Sequence, residues 1–233
     1  MHLKKQQLIS SMNKGLGEEI TIMALTVTEK QRYKLIKGAN IYCNSHELKT
    51  INHPRHNVWQ SIAARMLIKL AARDTLYGTN KCIKDIQILR HKSGRPYIKI
   101  RQEFSKLTTS ISHSRNKIAI VISRSGLPVG IDIEHINSCN WSVIRGFFHL
   151  PETMSESDML NWWVVRESCI KASCDEISLL DNLKVSKRGS RENIDLYCAV
   201  DSQGNYYNSF VRMFSGFAIA LSIKSETDGE VII

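Results

Sequence analysis

The sequence predicts an α+β protein made of two similar halves in tandem, a pseudo-dimer within one chain. Three observations carry this. The order strand, helix, strands is followed by a second round of helix and strands. A Gly-Leu-Pro break at 126–128 separates two apolar strand-like runs, KIAIVISR and VGIDIEHI. The charge changes sign at the same place: residues 1–126 hold 23 Lys+Arg against 7 Asp+Glu, and residues 127–233 hold 9 against 15. The chain therefore reads as a basic half, 1–126, and an acidic half, 127–233.

Taken in order, ITIMALTV (20–27) is a strand followed by a charged helical stretch, and 44–57, with His53-Pro54, reads as a loop. VWQSIAARMLIKLAAR (58–73) is a helix, because Ile62, Met66 and Leu70 recur on one face and alanines favour the helix elsewhere. CIKDIQILRH and PYIKI are short strands around the turn KSGR. SISHS (110–114) is expected just before the strand KIAIVISR, where hydroxyls, an imidazole and free N–H groups can hold phosphate oxygens. A helix is expected over about 152–173, then the strands IDLYCAV, YNSFVRMF and FAIALSIK.

Composition excludes several classes. A hydrophobic fraction of 42% in 233 residues is that of an ordinary globular chain with a core. No apolar run has the length of a membrane span, and no secretory signal is read at the N-terminus, so a cytoplasmic protein is expected. Six cysteines without a CxxC pair or zinc-ligand spacing are expected to be reduced thiols. The net charge of +10 points to anionic partners. A nucleic-acid-binding module would explain the charge alone, but no RNP motif, zinc finger or recognition helix accompanies it.

The chemistry lies in VGIDIEHI. A strand alternates its faces, so Asp132 and Glu134 point the same way inside an apolar run. Like charges that close repel unless something positive lies between them, so deleting one is expected to relieve repulsion. A third acid, Glu167, stands four residues before Lys171 on an apolar helix. Hard oxygen donors without Cys or His favour magnesium, with manganese as a substitute, and magnesium binds best when phosphates complete its shell. The expected metal ligands are Asp132, Glu134 and Glu167. A magnesium-dependent phosphohydrolase or nuclease could use the same three acids.

GIDIE, followed about thirty residues later by W-x-x-R-E-S-x-x-K, resembles the 4′-phosphopantetheinyl transferases, in their larger, monomeric, surfactin-synthetase and siderophore-synthetase class. SGRPYI (93–98), ISHS (111–114), FFHLPE (147–152) and FAIALSI (217–223) match further family stretches in the correct order, over roughly residues 55–225. The resemblance implies transfer of phosphopantetheine from coenzyme A to a serine of an acyl or peptidyl carrier protein, with the active site in a cleft between the halves. It places the metal on Asp132, Glu134 and Glu167, and catalysis on Glu167 and Lys171. Coenzyme A contacts fall on Arg95, Ser112, His113 and Lys171, with Arg65 or Arg55 meeting the 3′-phosphate. Two departures stand out: Arg95 and Arg166 each occupy a position that is usually lysine.

Overall fold

The computed structural model describes residues 19–51, 57–76, 83–101, 103–173 and 183–225. The chain is α+β, with three sheets and six α-helices among the described residues. Its contacts form two compact units. The first holds the described residues up to Ile111 together with Asn116–Leu127, and the second holds Ser112–Arg115 together with the described residues from Pro128.

In the first unit β1 (Ile20–Thr26) is followed by α1 (Glu29–Lys37), α2 (Ala39–Tyr42), α3 (Ser45–Ile51) and α4 (Val58–Leu76). Then come β2 (Ile86–Arg90), β3 (Pro96–Ile100), β4 (Glu103–Phe104), β5 (Thr108–Ser114) and β6 (Lys117–Ser123). Two antiparallel hairpin-type pairings, β2-β3-β4, form one sheet, and β1-β6-β5 form another. The core is aliphatic: Ile62, Met66 and Leu67 of α4 pack with Leu35, Ile51, Ile118 and Ile120. Leu70, expected with Ile62 and Met66, is only partly buried against it.

The stretch 44–57 is not a loop throughout, because Ser45–Ile51 is helical. Asn44 and Glu47 make the reciprocal bonds of a capping box: Asn44 Oδ1 accepts from Glu47 N (2.8 Å) and Glu47 Oε2 from Asn44 N (2.9 Å). The polar composition that reads as loop is the composition of a capped helix start.

In the second unit β7 (Val129–His135) leads to α5 (Trp141–Phe148) and α6 (Glu156–Ser173). The strands β8 (Lys184–Arg191), β9 (Ile194–Val200), β10 (Tyr206–Phe214) and β11 (Phe217–Ser225) complete it. The five-stranded sheet runs β7-β11-β10-β9-β8, antiparallel throughout. The first strand of each unit thus pairs with the last, β1 with β6 and β7 with β11.

Val129, Ile131 and Ile133 are fully buried. The alternate residues Gly130, Asp132 and Glu134 face the α6 side, opposite Ser222, Ala220 and Ala218 of β11. That stripe of small residues lets the helix lie close. A Cβ on Gly130 would fall 1.9 Å from Ser168 O and 2.6 Å from Ala172 N, so only glycine permits this seat. Buried hydroxyls and a thiol tie the same faces together: Ser222 Oγ lies 2.6 Å from Ser168 Oγ and 2.7 Å from Ser209 Oγ, and 3.3 Å from Cys169 Sγ.

Candidate functional site

In the second unit Asp132 meets a lysine. Its Oδ1 accepts from Lys171 Nζ at 2.6 Å and from Ser112 Oγ at 2.7 Å, and Lys171 Nζ also approaches Ser112 Oγ at 3.2 Å. The Asp132 side chain is 7% exposed and that of Lys171 29%, so the pair sits at the edge of the core with the amine open to solvent. The neighbouring Glu134 accepts from Ser114 Oγ and from its own His135 N. Ser112 to Asp132 and Ser114 to Glu134 span the same twenty residues, so these stretches of β5 and β7 run side by side in the same direction. The spacing of two on each strand then matches one serine to each acid.

Glu167, one turn before Lys171 on α6, is partly buried. Burial pushes its carboxyl above the usual range, and the Asp132 charge adds to this, with a smaller push from Glu134. Lys171 and Arg166 oppose the shift without reversing it. The Cys139 thiol reports the same negative field: burial first, then Glu134, Asp132 and Glu167, push it up to about 11.

Among the described residues no group of three His, Cys, Asp or Glu side chains is gathered so as to hold a metal ion. The donor set itself fits a hard divalent cation. Three carboxylates act on one another through space, with oxygen atoms as the donors, and their mutual repulsion is what such a cation relieves. Asp132 points at Lys171 and Glu134 at Ser114.

SISHS lies just before β6, as expected, and is itself strand, the end of β5. Ser112 and Ser114 are buried and His113 between them is exposed, on the other face. The structure therefore gives Ser112 to the acids and separates it from His113. Arg166, noted above as a departure from the resemblance, is buried. Its guanidinium carbon packs 4.6 Å from the ring centroids of both Phe148 and Trp162, which meet each other edge to face at 5.1 Å, and it donates to Leu183 O at 2.7 Å. A planar guanidinium can lie over aromatic rings and donate in its own plane at once, which an ammonium cannot.

The other expected basic residues lie in the first unit or outside the described residues. Arg55 is among the latter. Arg95 is half-buried in the β2–β3 turn, which its carbonyl closes by accepting from His91 N at 2.9 Å. Arg65 is buried on α4 and lines a cavity of about 340 Å³ together with His46, Thr50, Ser61, Arg90 and Tyr97. Its guanidinium donates to Ser61 O (3.2 Å) and Thr50 Oγ1 (3.3 Å). Burial presses against its protonated form, Cys43 and Glu47 counter this, and the Arg90 charge adds to it. Two arginines that repel one another in one cavity wall, with an imidazole and hydroxyls beside them, suit an anion. Arg90 and His46 are thus site candidates missed in the sequence. The signal lay in ILRHKSGRPY, where Arg90 opens the very turn that carries Arg95.

No protein-family profile matches the chain, and no curated protein matches it. Among solved structures, a similar chain is the holo-[acyl-carrier-protein] synthase of Helicobacter pylori in complex with coenzyme A. It is 21% identical over 45% of this chain and 97% of that one, with a TM-score of 0.37. Among the described residues no helix is long and apolar enough to cross a membrane.

Proposed function

We propose that this protein is a 4′-phosphopantetheinyl transferase of the two-halved, monomeric class, moving the phosphopantetheine arm of coenzyme A onto a serine of a carrier protein. The observation that carries the proposal is the Lys171–Asp132–Ser112 contact. It joins the GIDIE strand, the W-x-x-R-E-S-x-x-K helix and the ISHS strand, three stretches first associated through the ordered resemblance.

Asp132, Glu134 and Glu167 would hold magnesium, which when bound neutralises pyrophosphate charge and orients it. The remaining work falls to side chains of this chain. The carrier serine oxygen bonds to the β-phosphorus while the bond from that phosphorus to the oxygen of 3′,5′-adenosine bisphosphate breaks. The serine proton passes to Glu167, directly or through a water. Lys171 supplies positive charge to the departing bisphosphate. In the first unit, the cavity lined by Arg65, Arg90 and His46 takes the 3′-phosphate, and Arg95 a further phosphate contact.

The test is intact-mass analysis of a panel of acyl and peptidyl carrier proteins after incubation with coenzyme A, with and without magnesium. Metal-dependent addition of phosphopantetheine to one carrier is expected. Consumption of coenzyme A with every carrier unmodified would replace this reading with a phosphohydrolase using the same acids.

A further inference from the structure

We infer that the buried Glu47–Lys69 pair is a positioning device for the cavity of the first unit, fixing the basic groups that make it prefer a phosphate-bearing ligand; this rests on the phosphate reading of that cavity given above. Both side chains are 0% exposed, and their charged atoms lie 2.6 Å apart. The Glu47 carboxylate joins three elements at one point. Oε2 accepts from Lys69 Nζ on α4 and from Asn44 N at the cap of α3, and Oε1 accepts from Ile88 N on β2 at 2.9 Å. The same three elements supply the cavity walls: His46 and Thr50 from α3, Arg65 from α4, Arg90 from β2. The linkage continues to the cavity surface. Thr50 Oγ1 donates to Glu47 O at 2.8 Å and accepts from Arg65 Nη2 at 3.3 Å. The helix that Glu47 anchors therefore also holds the Arg65 fork.

Stability alone gives little reason for this pair. A buried ion pair is often replaceable by well-packed apolar side chains at no loss, and here both partners are fully buried. Apolar contacts tolerate sliding. A carboxylate with three directional bonds to three elements does not, and fork recognition of a phosphate fails on displacements of under an ångström. The lysine and glutamate are then a means of fixing geometry.

The experiment uses the full chain and compares its calorimetric affinities for coenzyme A and dephospho-coenzyme A, which differ by the 3′-phosphate, with thermal midpoints measured alongside. Arg90→Met should bring the ratio of the two affinities close to one; that variant tests the phosphate reading. Glu47→Asp keeps the charge and shortens the reach, and should lower the ratio at least about fivefold. The double variant Glu47→Gln/Lys69→Met removes both charges together and should lower it likewise with little change in thermal midpoint, covering the case in which Glu47→Asp does not fold. A wild-type ratio near one removes the phosphate reading and this inference with it. If Arg90→Met collapses the ratio while the folded Glu47 variants keep it, the pair is only structural and the inference fails by itself.

Discussion

At the scale of the residue, what neutralises the buried Asp132 is Lys171. The sequence alone suggests that deleting Asp132 relieves repulsion from Glu134. The structure reverses that sign, because Asp132 holds an amine at 2.6 Å and a hydroxyl at 2.7 Å. In metal-free buffer Asp132→Asn and Lys171→Met should each destabilise by about 1–3 kcal/mol. Their double variant should be less destabilised than the sum, by a coupling of about 1 kcal/mol or more. Denaturant titration of the four-member cycle decides it, and strict additivity would mean that the contact contributes nothing. Asp201, in the β9–β10 turn, offers a case away from the acids. Burial pushes its carboxyl up, but bonds from Asn205, Tyr207 and Gln203 outweigh this and hold it below the usual range. A group lowered in the folded state adds stability above its unfolded pKa, near 4, which is lost as pH falls through the folded value. Asp201→Asn should thus destabilise by about 1–3 kcal/mol at neutral pH, with the deficit shrinking toward pH 2. A deficit constant across that range would contradict the assignment.

At the scale of the element, β7 was legible because its apolar residues alternate with residues that serve α6. Val129, Ile131 and Ile133 fill the core, while Gly130, Asp132 and Glu134 face the helix. The long helix α4 was legible for the same reason, a simple period. The helices α3 and α5 were not. Each is seven or eight residues long, and each begins on an asparagine cap that looks like loop composition. Strand β8, KVSKRGSR, is nearly all polar and mostly exposed, so no alternation marks it. The candidate acids could be picked out by strand alternation and helix spacing, and Lys171 by the resemblance. Their pairing could not, since the i, i+4 spacing of Glu167 and Lys171 says nothing of a strand beside the helix. Nor could the cavity of the first unit, whose walls come from stretches some forty residues apart. Gly130 gives the sharpest test at this scale. In Gly130→Ala the new methyl carbon meets backbone, which cannot rotate away, so α6 must lift from β7. A loss of about 3 kcal/mol or more is expected, at the upper end for overpacking. Lifting α6 should also weaken the Asp132–Lys171 coupling measured in the cycle above. An alanine variant with wild-type stability would show that the helix is not seated as closely on β7 as these contacts require.

At the scale of the whole molecule, the distribution of charge matters more than its total. The first 126 residues carry 23 basic side chains against 7 acidic ones, and the remaining residues 9 against 15. If the proposed reading holds, coenzyme A, a tetra-anionic substrate, is drawn to the basic part by a field that exposed side chains supply and salt screens over about 10 Å at 0.1 M. Contacts inside the cavity are screened less, since Arg65 is buried. The two contributions separate by experiment. Raising salt from about 0.05 to about 0.5 M should slow association of coenzyme A severalfold to tenfold while leaving dissociation within about twofold, because exposed charge acts mainly on encounter. Dephospho-coenzyme A, with less charge to steer, should show the smaller slope on association and a faster dissociation at every salt concentration. Stopped-flow measurement of both ligands tests this. Were association independent of salt, the basic half would be a solvated surface with no part in capture; were the two ligands to dissociate at one rate, the buried arginine would have no 3′-phosphate to hold.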